Sequence, residues 1–292
     1  MTTVIWALVV LVSIALVASV LLYVVSQRFK VEEDPRIDEV EAALPGANCG
    51  ACGNPGCRGF AVGFVNTKDP STFYCPVGGN AVMEKISAIM GRQAMKKEPT
   101  VAVVRCAGSP EHRAMVAKWD GASSCRVSAA LFEGPTGCSY GCLGMGDCES
   151  VCEFDALHMD AETHLPVIDE AKCTSCGKCV KICPKHIIEL RSRGPKGRRV
   201  FVSCVNQDKG GVAMKNCKVA CIGCSKCQKA CPFEAITIAN NLSYIDFTKC
   251  KTCRKCVPVC PTKAIWDVNF PTPVKVEDSP KAEKPSAVSA EA

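Results

Sequence analysis

The sequence predicts an α+β protein, with one N-terminal membrane-spanning helix followed by small cysteine-rich units. Three observations predict it. Residues Val4–Ser26 carry no charge and are almost wholly apolar. A glycine-rich stretch then brings in Cys49, Cys52, Cys57 and Cys75. Beyond residue 100, cysteines recur at two- and three-residue gaps in runs that repeat. Cysteine supplies 24 of 292 residues, near the level at which cysteine chemistry defines a scaffold. Aromatics are only 6%, so large apolar cores are scarce and the cysteines must tie short loops together. A disulfide framework suits short secreted chains, and these cysteines lie too close along the chain to pair with one another comfortably. Bound metal is the better reading.

About 20 apolar residues cross a bilayer as one helix. Trp6 and Tyr23 stand near the ends of the run, where aromatic rings favour the interface. A cleaved secretion signal would carry basic residues before a shorter apolar core. No Lys or Arg precedes this run, so residues 1–27 are expected to be an uncleaved single-pass anchor. Arg28 and Lys30 follow it. By the positive-inside rule the N-terminus then lies outside and the rest on the cytoplasmic side of the cell inner membrane. Reduced cysteines suit that compartment.

The second unit, residues 32–91, opens with an acidic, weakly amphipathic helix expected over Val31–Ala43. Next comes Asn48-Cys49-Gly-Ala-Cys52-Gly-Asn-Pro-Gly-Cys57, and later Cys75-Pro76. Four thiolates in a glycine-rich setting suit one [4Fe–4S] cubane. Gly50, Gly53 and Gly56 allow tight turns and leave amides free for cluster sulfurs. A four-cysteine zinc knuckle is usually two separated pairs, whereas three clustered cysteines and a distant fourth favour iron–sulfur. Helical periodicity over Phe60–Asn66 and from Val82 to Met95 should pack around the site.

The remaining runs are Cys173-Thr-Ser-Cys176-Gly-Lys-Cys179-Val-Lys-Ile-Cys183-Pro, Cys221-Ile-Gly-Cys224-Ser-Lys-Cys227-Gln-Lys-Ala-Cys231-Pro and Cys250-Lys-Thr-Cys253-Arg-Lys-Cys256-Val-Pro-Val-Cys260-Pro. Each is the C-x2-C-x2-C-x3-C-P pattern of bacterial ferredoxins, whose fourth cysteine ligates the neighbouring cluster. A module is repeated here. Residues 101–190 align with 199–268: Cys106 matches Cys204, Cys138 matches Cys217, and Cys173–Cys183 matches Cys250–Cys260. In the first copy Met145 stands where Cys224 would be, and Cys138 is expected to supply the missing ligand.

Crossed ligation then groups Cys138, Cys142, Cys148 and Cys183, and Cys152, Cys173, Cys176 and Cys179. In the second copy it groups Cys221, Cys224, Cys227 and Cys260, and Cys231, Cys250, Cys253 and Cys256. Cys152 departs from the pattern because Glu153 replaces the proline. Five clusters are expected. The spare Cys106, Cys125, Cys204 and Cys217 either hold a sixth or act as small buried apolar side chains; the spacing leaves both open.

Charge separates the copies. Residues 191–263 carry 15 Lys/Arg against 3 Asp/Glu, while residues 101–190 carry 8 against 12. No nucleic-acid motif accompanies the basic stretch, so an acidic soluble electron carrier is the better-motivated partner, with anionic lipid a further option. His112, His158, His164 and His186 lack metal-ligand spacing, and no G-x-G-x-x-G or P-loop indicates a nucleotide. No catalytic residue and no independent active site are expected. The tail over 270–292 is rich in Pro, Lys, Glu and Ala and is expected to be disordered.

The whole chain resembles the B subunit of the Rnf electron-transport complex, the ion-translocating ferredoxin:NAD oxidoreductase. The anchor, Glu33-Asp34-Pro35-Arg36, Leu44-Pro45-Gly46-Ala-Asn48-Cys49-Gly-Ala-Cys52-Gly, Cys75-Pro and the ferredoxin-like runs carry the resemblance. It implies a translocase subunit that accepts electrons from reduced ferredoxin and passes them to membrane partner subunits. In such a complex NAD reduction is coupled to sodium or proton translocation. Shorter family members carry one ferredoxin pair and this chain carries two.

Overall fold

The computed structural model describes residues 2–28 and 33–271. The tail expected to be disordered lies, from residue 272 on, outside the described residues. Helix α1, Thr2–Arg28, contains a 24-residue span of mean hydropathy 3.0, and its described side chains are exposed along its length. Apolar residues exposed all round a helix belong in lipid.

The next unit packs three helices around the first cysteine group. Helix α2 is Arg36–Ala43, later than the expected start at Val31, because Pro35 and the Asp34 carboxylate set its beginning. Val31 itself lies outside the described residues. Pro cannot sit inside a helix without losing a backbone bond, and is tolerated at its start. Helix α3 is Gly56–Asn66 and α4 is Gly79–Ile89. The latter ends before the expected Met95 because Gly91 adopts a left-handed conformation, φ +63°, and Arg92 N–H returns to the Ser87 carbonyl at 2.9 Å. Ile37, Val40, Phe60, Phe64, Met83 and Ile86 form the core. Phe60 and Phe64 stack at 5.8 Å, and Phe73 stands edge-on to both. Arg58 bridges Glu33, Asp38 and Glu41, joining α3 to α2.

Two modules of the same topology follow. In the first, β1 (Thr100–Val104) pairs antiparallel with β4 (Ile188–Ser192), in register from Thr100↔Ser192 to Val104↔Ile188. Between them come the helices α5 (Cys125–Leu131) and α6 (Asp147–Ser150), the hairpin β2 (Leu157–Met159) and β3 (Pro166–Ile168), and α7 (Lys178–Ile182). In the second, β5 (Arg199–Val202) pairs with β8 (Ile265–Val268) around α8 (Gly210–Asn216), α9 (Lys226–Lys229) and the hairpin β6 (Ile236–Ala239) and β7 (Leu242–Ile245). First and last strands thus close each module into one unit. Cysteines make up much of both cores: Cys106, Cys142, Cys148 and Cys183 in the first, and Cys204, Cys217, Cys221, Cys227 and Cys256 in the second. The modules are joined by Arg105, which is 8% exposed; its guanidinium pairs with Glu189 and donates to the Val202 and Cys204 carbonyls.

Candidate metal centres

All 24 cysteines are free thiols. They converge in six groups of four. Cys49, Cys52, Cys57 and Cys75 line one small pocket, site I. Asn48 shapes it: its side-chain oxygen accepts the Cys57 N–H at 2.8 Å, and a side chain at Gly56 (φ +77°) would meet that oxygen at 2.8 Å. Cys152, Cys173, Cys176 and Cys179 line site II. Cys221, Cys224, Cys227 and Cys260 are neighbours in site V, and Cys231, Cys250, Cys253 and Cys256 in site VI.

The first module departs from the expectation. Cys125, not Cys138, lines the pocket of Cys142, Cys148 and Cys183, site III. Asp147 explains how: its carboxylate accepts the Ser124 hydroxyl and the backbone N–H groups of Cys125 and Arg126 at 2.9–3.1 Å, capping α5 and fixing its first residue beside Cys148. Cys138 instead lines a pocket with Cys106, Cys204 and Cys217, site IV, between the modules. Each module contributes two of these four cysteines at matching positions.

The cysteine loops keep one geometry. Left-handed residues fall at Ser175 and Gly177, at Gly223 and Ser225, and at Thr252 and Arg254, in each case just before and just after the second cysteine. Gly144 and Gly146 do the same around Met145, so that loop keeps its shape without its cysteine. Three residues beyond the last cysteine of each run, Asp155, His186, Glu234 and Lys263 are also left-handed. Cys152 therefore makes the same turn without its proline.

Backbone amides point at sulfur. Gly78 N–H donates to Cys75, Ala156 to Cys152, Asn206 to Cys204 and Ser243 to Cys221, each at 3.4 Å. The Asn206 side chain also donates to Cys138 at 3.4 Å. Burial, with nearby sulfurs, pushes the Cys148, Cys179, Cys204 and Cys256 thiols up to about 12. Such thiols are neutral at pH 7, and a cationic iron core must displace their protons. Among the described residues no three His, Cys, Asp or Glu side chains converge tightly enough for a single ion. Four sulfurs around a small pocket, with amides directed at them, fit a [4Fe–4S] core instead.

Neighbouring sites lie within reach of one another's charge. Besides burial, the Cys148 thiol feels Cys179 of site II, Cys142 feels Cys106 of site IV, Cys204 feels Cys221 of site V, and Cys256 feels Cys227 of site V. Lys178 lies near both Cys49 of site I and Cys176 of site II, and is ion-paired to Glu153. The spatial order is therefore I, II, III, IV, V, VI.

Cys125 is findable in the sequence. It is the one cysteine of the first copy with no counterpart in the second, and Met145 is the one gap in the motifs. Cys106 and Cys138 already match Cys204 and Cys217.

Family models agree with these sites. An Fe–S cluster model matches residues 44–76, and two models described as 4Fe–4S dicluster domains match 136–187 and 220–265. Among similar proteins, the B subunit of the Na(+)-translocating ferredoxin:NAD(+) oxidoreductase complex of Acetobacterium woodii is 46% identical over 230 residues, 79% of this chain and 68% of its own. The B subunit of the ion-translocating oxidoreductase complex of Methanosarcina acetivorans is 39% identical, covering 82% and 89%. The B subunit of the proton-translocating ferredoxin:NAD(+) oxidoreductase complex of Clostridium ljungdahlii is 40% identical, covering 86% and 87%. Likeness of this degree over most of both chains, on top of the iron–sulfur sites, makes the chain a member of the B-subunit family of ion-translocating ferredoxin:NAD(+) oxidoreductase complexes, an iron–sulfur electron-transfer subunit.

Proposed function

We propose that the chain carries six [4Fe–4S] clusters, one per site, and relays electrons between a soluble ferredoxin and the membrane partners of its complex. The observation that carries this is the grouping of all 24 cysteines into six sets of four, each set beside the next. Bound clusters supply the one-electron chemistry. The chain's own residues hold them, bury half of the cysteines and direct amides at the sulfurs, which tunes potential. Site IV is the bridge, since its ligands come from both modules. Ferredoxin is the donor, on the names of two relatives and on the excess of basic residues over 191–263.

NAD reduction and sodium or proton translocation belong to the assembled complex. Helix α1 has no charged side chain before Arg28, so ion movement falls to other subunits. The anchor is single-pass in the cell inner membrane, N-terminus outside and the clusters on the cytoplasmic side, by the charge asymmetry after residue 27.

The test uses the full-length chain, purified anaerobically and mixed with reduced ferredoxin. Freeze-quench EPR should record reduction of clusters on both sides of site IV. In the pair Cys204→Ser and Cys217→Ser, sites I–III should stay oxidised while sites V and VI are reduced. Zinc with little iron, or equal reduction on both sides in that variant, would contradict the relay.

A further inference from the structure

A cavity of about 920 Å³ lies beside site VI, at one end of the order of sites. Its wall joins the two modules: the end of β4, the connecting loop Arg193–Arg198, the start of β5, and Phe247–Thr252. Five basic residues line it, Arg191, Arg193, Arg198, Arg199 and Lys251, against one acid, Glu98. Cys250 forms part of the same wall, so the cavity opens onto a ligand of the terminal cluster.

These cations are built in. Arg191 is 1% exposed and Arg199 5%. Arg191 is ion-paired to Glu189 through Nε and lies against the Tyr244, Phe247 and Phe201 rings at 5.1–5.8 Å, yet both its terminal nitrogens lack a hydrogen-bond partner among the described residues. Arg199 pairs with Glu170 but leaves its own Nε unpartnered, as does Arg198. Arg193 directs its guanidinium to the Glu170 and Cys173 carbonyls and has no carboxylate partner among the described residues. Buried cations with open donors are costly unless an anion meets them. Glu189 and Glu170 offset two of these charges, and the remaining Arg193, Arg198 and Lys251 outnumber Glu98 in a cavity of about 920 Å³ beside the exposed Cys253, wide enough to take several carboxylates.

We propose that this cavity is the docking port for carboxylate side chains of an acidic electron-carrier protein, bringing its cluster against site VI. The proposal rests on the ferredoxin reading above and names the surface that reading requires. Opposite charge raises association rates by roughly 10- to 1,000-fold at low salt.

The test is anaerobic stopped flow, with the cluster-loaded full-length chain and a reduced acidic ferredoxin across ionic strength. The double variant Arg198→Glu with Lys251→Glu should keep its iron, lose roughly tenfold or more in second-order rate at low salt, and flatten the salt dependence. Lys226→Glu with Lys229→Glu, an equal charge change on α9, should lose far less. Equal losses in the two variants, or a wild-type rate and salt slope in the first, would overturn the port while leaving ferredoxin as donor. Stoichiometric binding of inorganic phosphate that is lost in the first variant, with the ferredoxin rate untouched, would assign the cavity to a free anion and overturn the port as well. A wild-type chain that dithionite reduces and ferredoxin does not would overturn port and donor together.

Discussion

At the scale of single residues, the informative exchange is between Cys125 and Cys138. The repeat alignment matches Cys138 to Cys217, while the expectation also gives it the place that Met145 leaves empty. Space is settled instead by the Asp147 cap, which ties α5 to the Cys148 loop across 22 residues of sequence. Cys125→Ser and Cys138→Ser should each remove about four irons, one cluster apiece. The iron should come from site III in the first and from site IV in the second, which EPR on the two variants separates. Loss of the same signal in both would return Cys138 to site III. Protons add a second expectation. Burial raises these thiols above their ordinary 9, to about 12 at Cys148 and Cys204, so they hold their protons at neutral pH and iron must compete with them. Iron loading, followed by absorbance during anaerobic reconstitution, should strengthen as pH rises from about 6 to about 9. A flat profile would contradict protonated thiols.

At the scale of elements, the loops are more legible in the sequence than the strands. The C-x2-C-x2-C spacing demands tight turns, and the left-handed residues around each second cysteine supply them, even at Met145. The missing proline after Cys152 makes that ligand look doubtful, but Asp155 takes the left-handed turn that Lys263 takes after Cys260-Pro. Helix ends are harder to read, because Pro35 and Gly91 act through capping that apolar periodicity does not register. The pairing of β1 with β4 is invisible in the chain, since Val104 and Ile188 meet only after the cysteine loops between them have folded back. The N-terminal unit has an aromatic core. Phe64 is fully buried there, so Phe64→Ala should cost about 3–5 kcal/mol and release the iron of site I. The ferredoxin-like modules should keep theirs. Iron counting and thermal unfolding of the variant check both halves of that statement.

At the scale of the molecule, duplication explains the architecture. Two ferredoxin-like modules meet so that equivalent cysteines, Cys106 with Cys204 and Cys138 with Cys217, face one pocket. The junction between copies is thus a pocket lined by four cysteines, the bridge of the proposed relay, rather than a purely apolar interface. Arg105 fastens it from one side by donating to the Cys204 carbonyl, and the Lys218 N–H donates across it to the His112 carbonyl at 2.9 Å. Each copy alone would leave two cysteines without partners. The number of clusters is therefore the central claim, and every cysteine in the chain is committed to it. Anaerobic purification of the full-length protein, with iron and acid-labile sulfide counted per chain, tests it most directly. About 24 of each are expected, and about 20 would contradict six clusters.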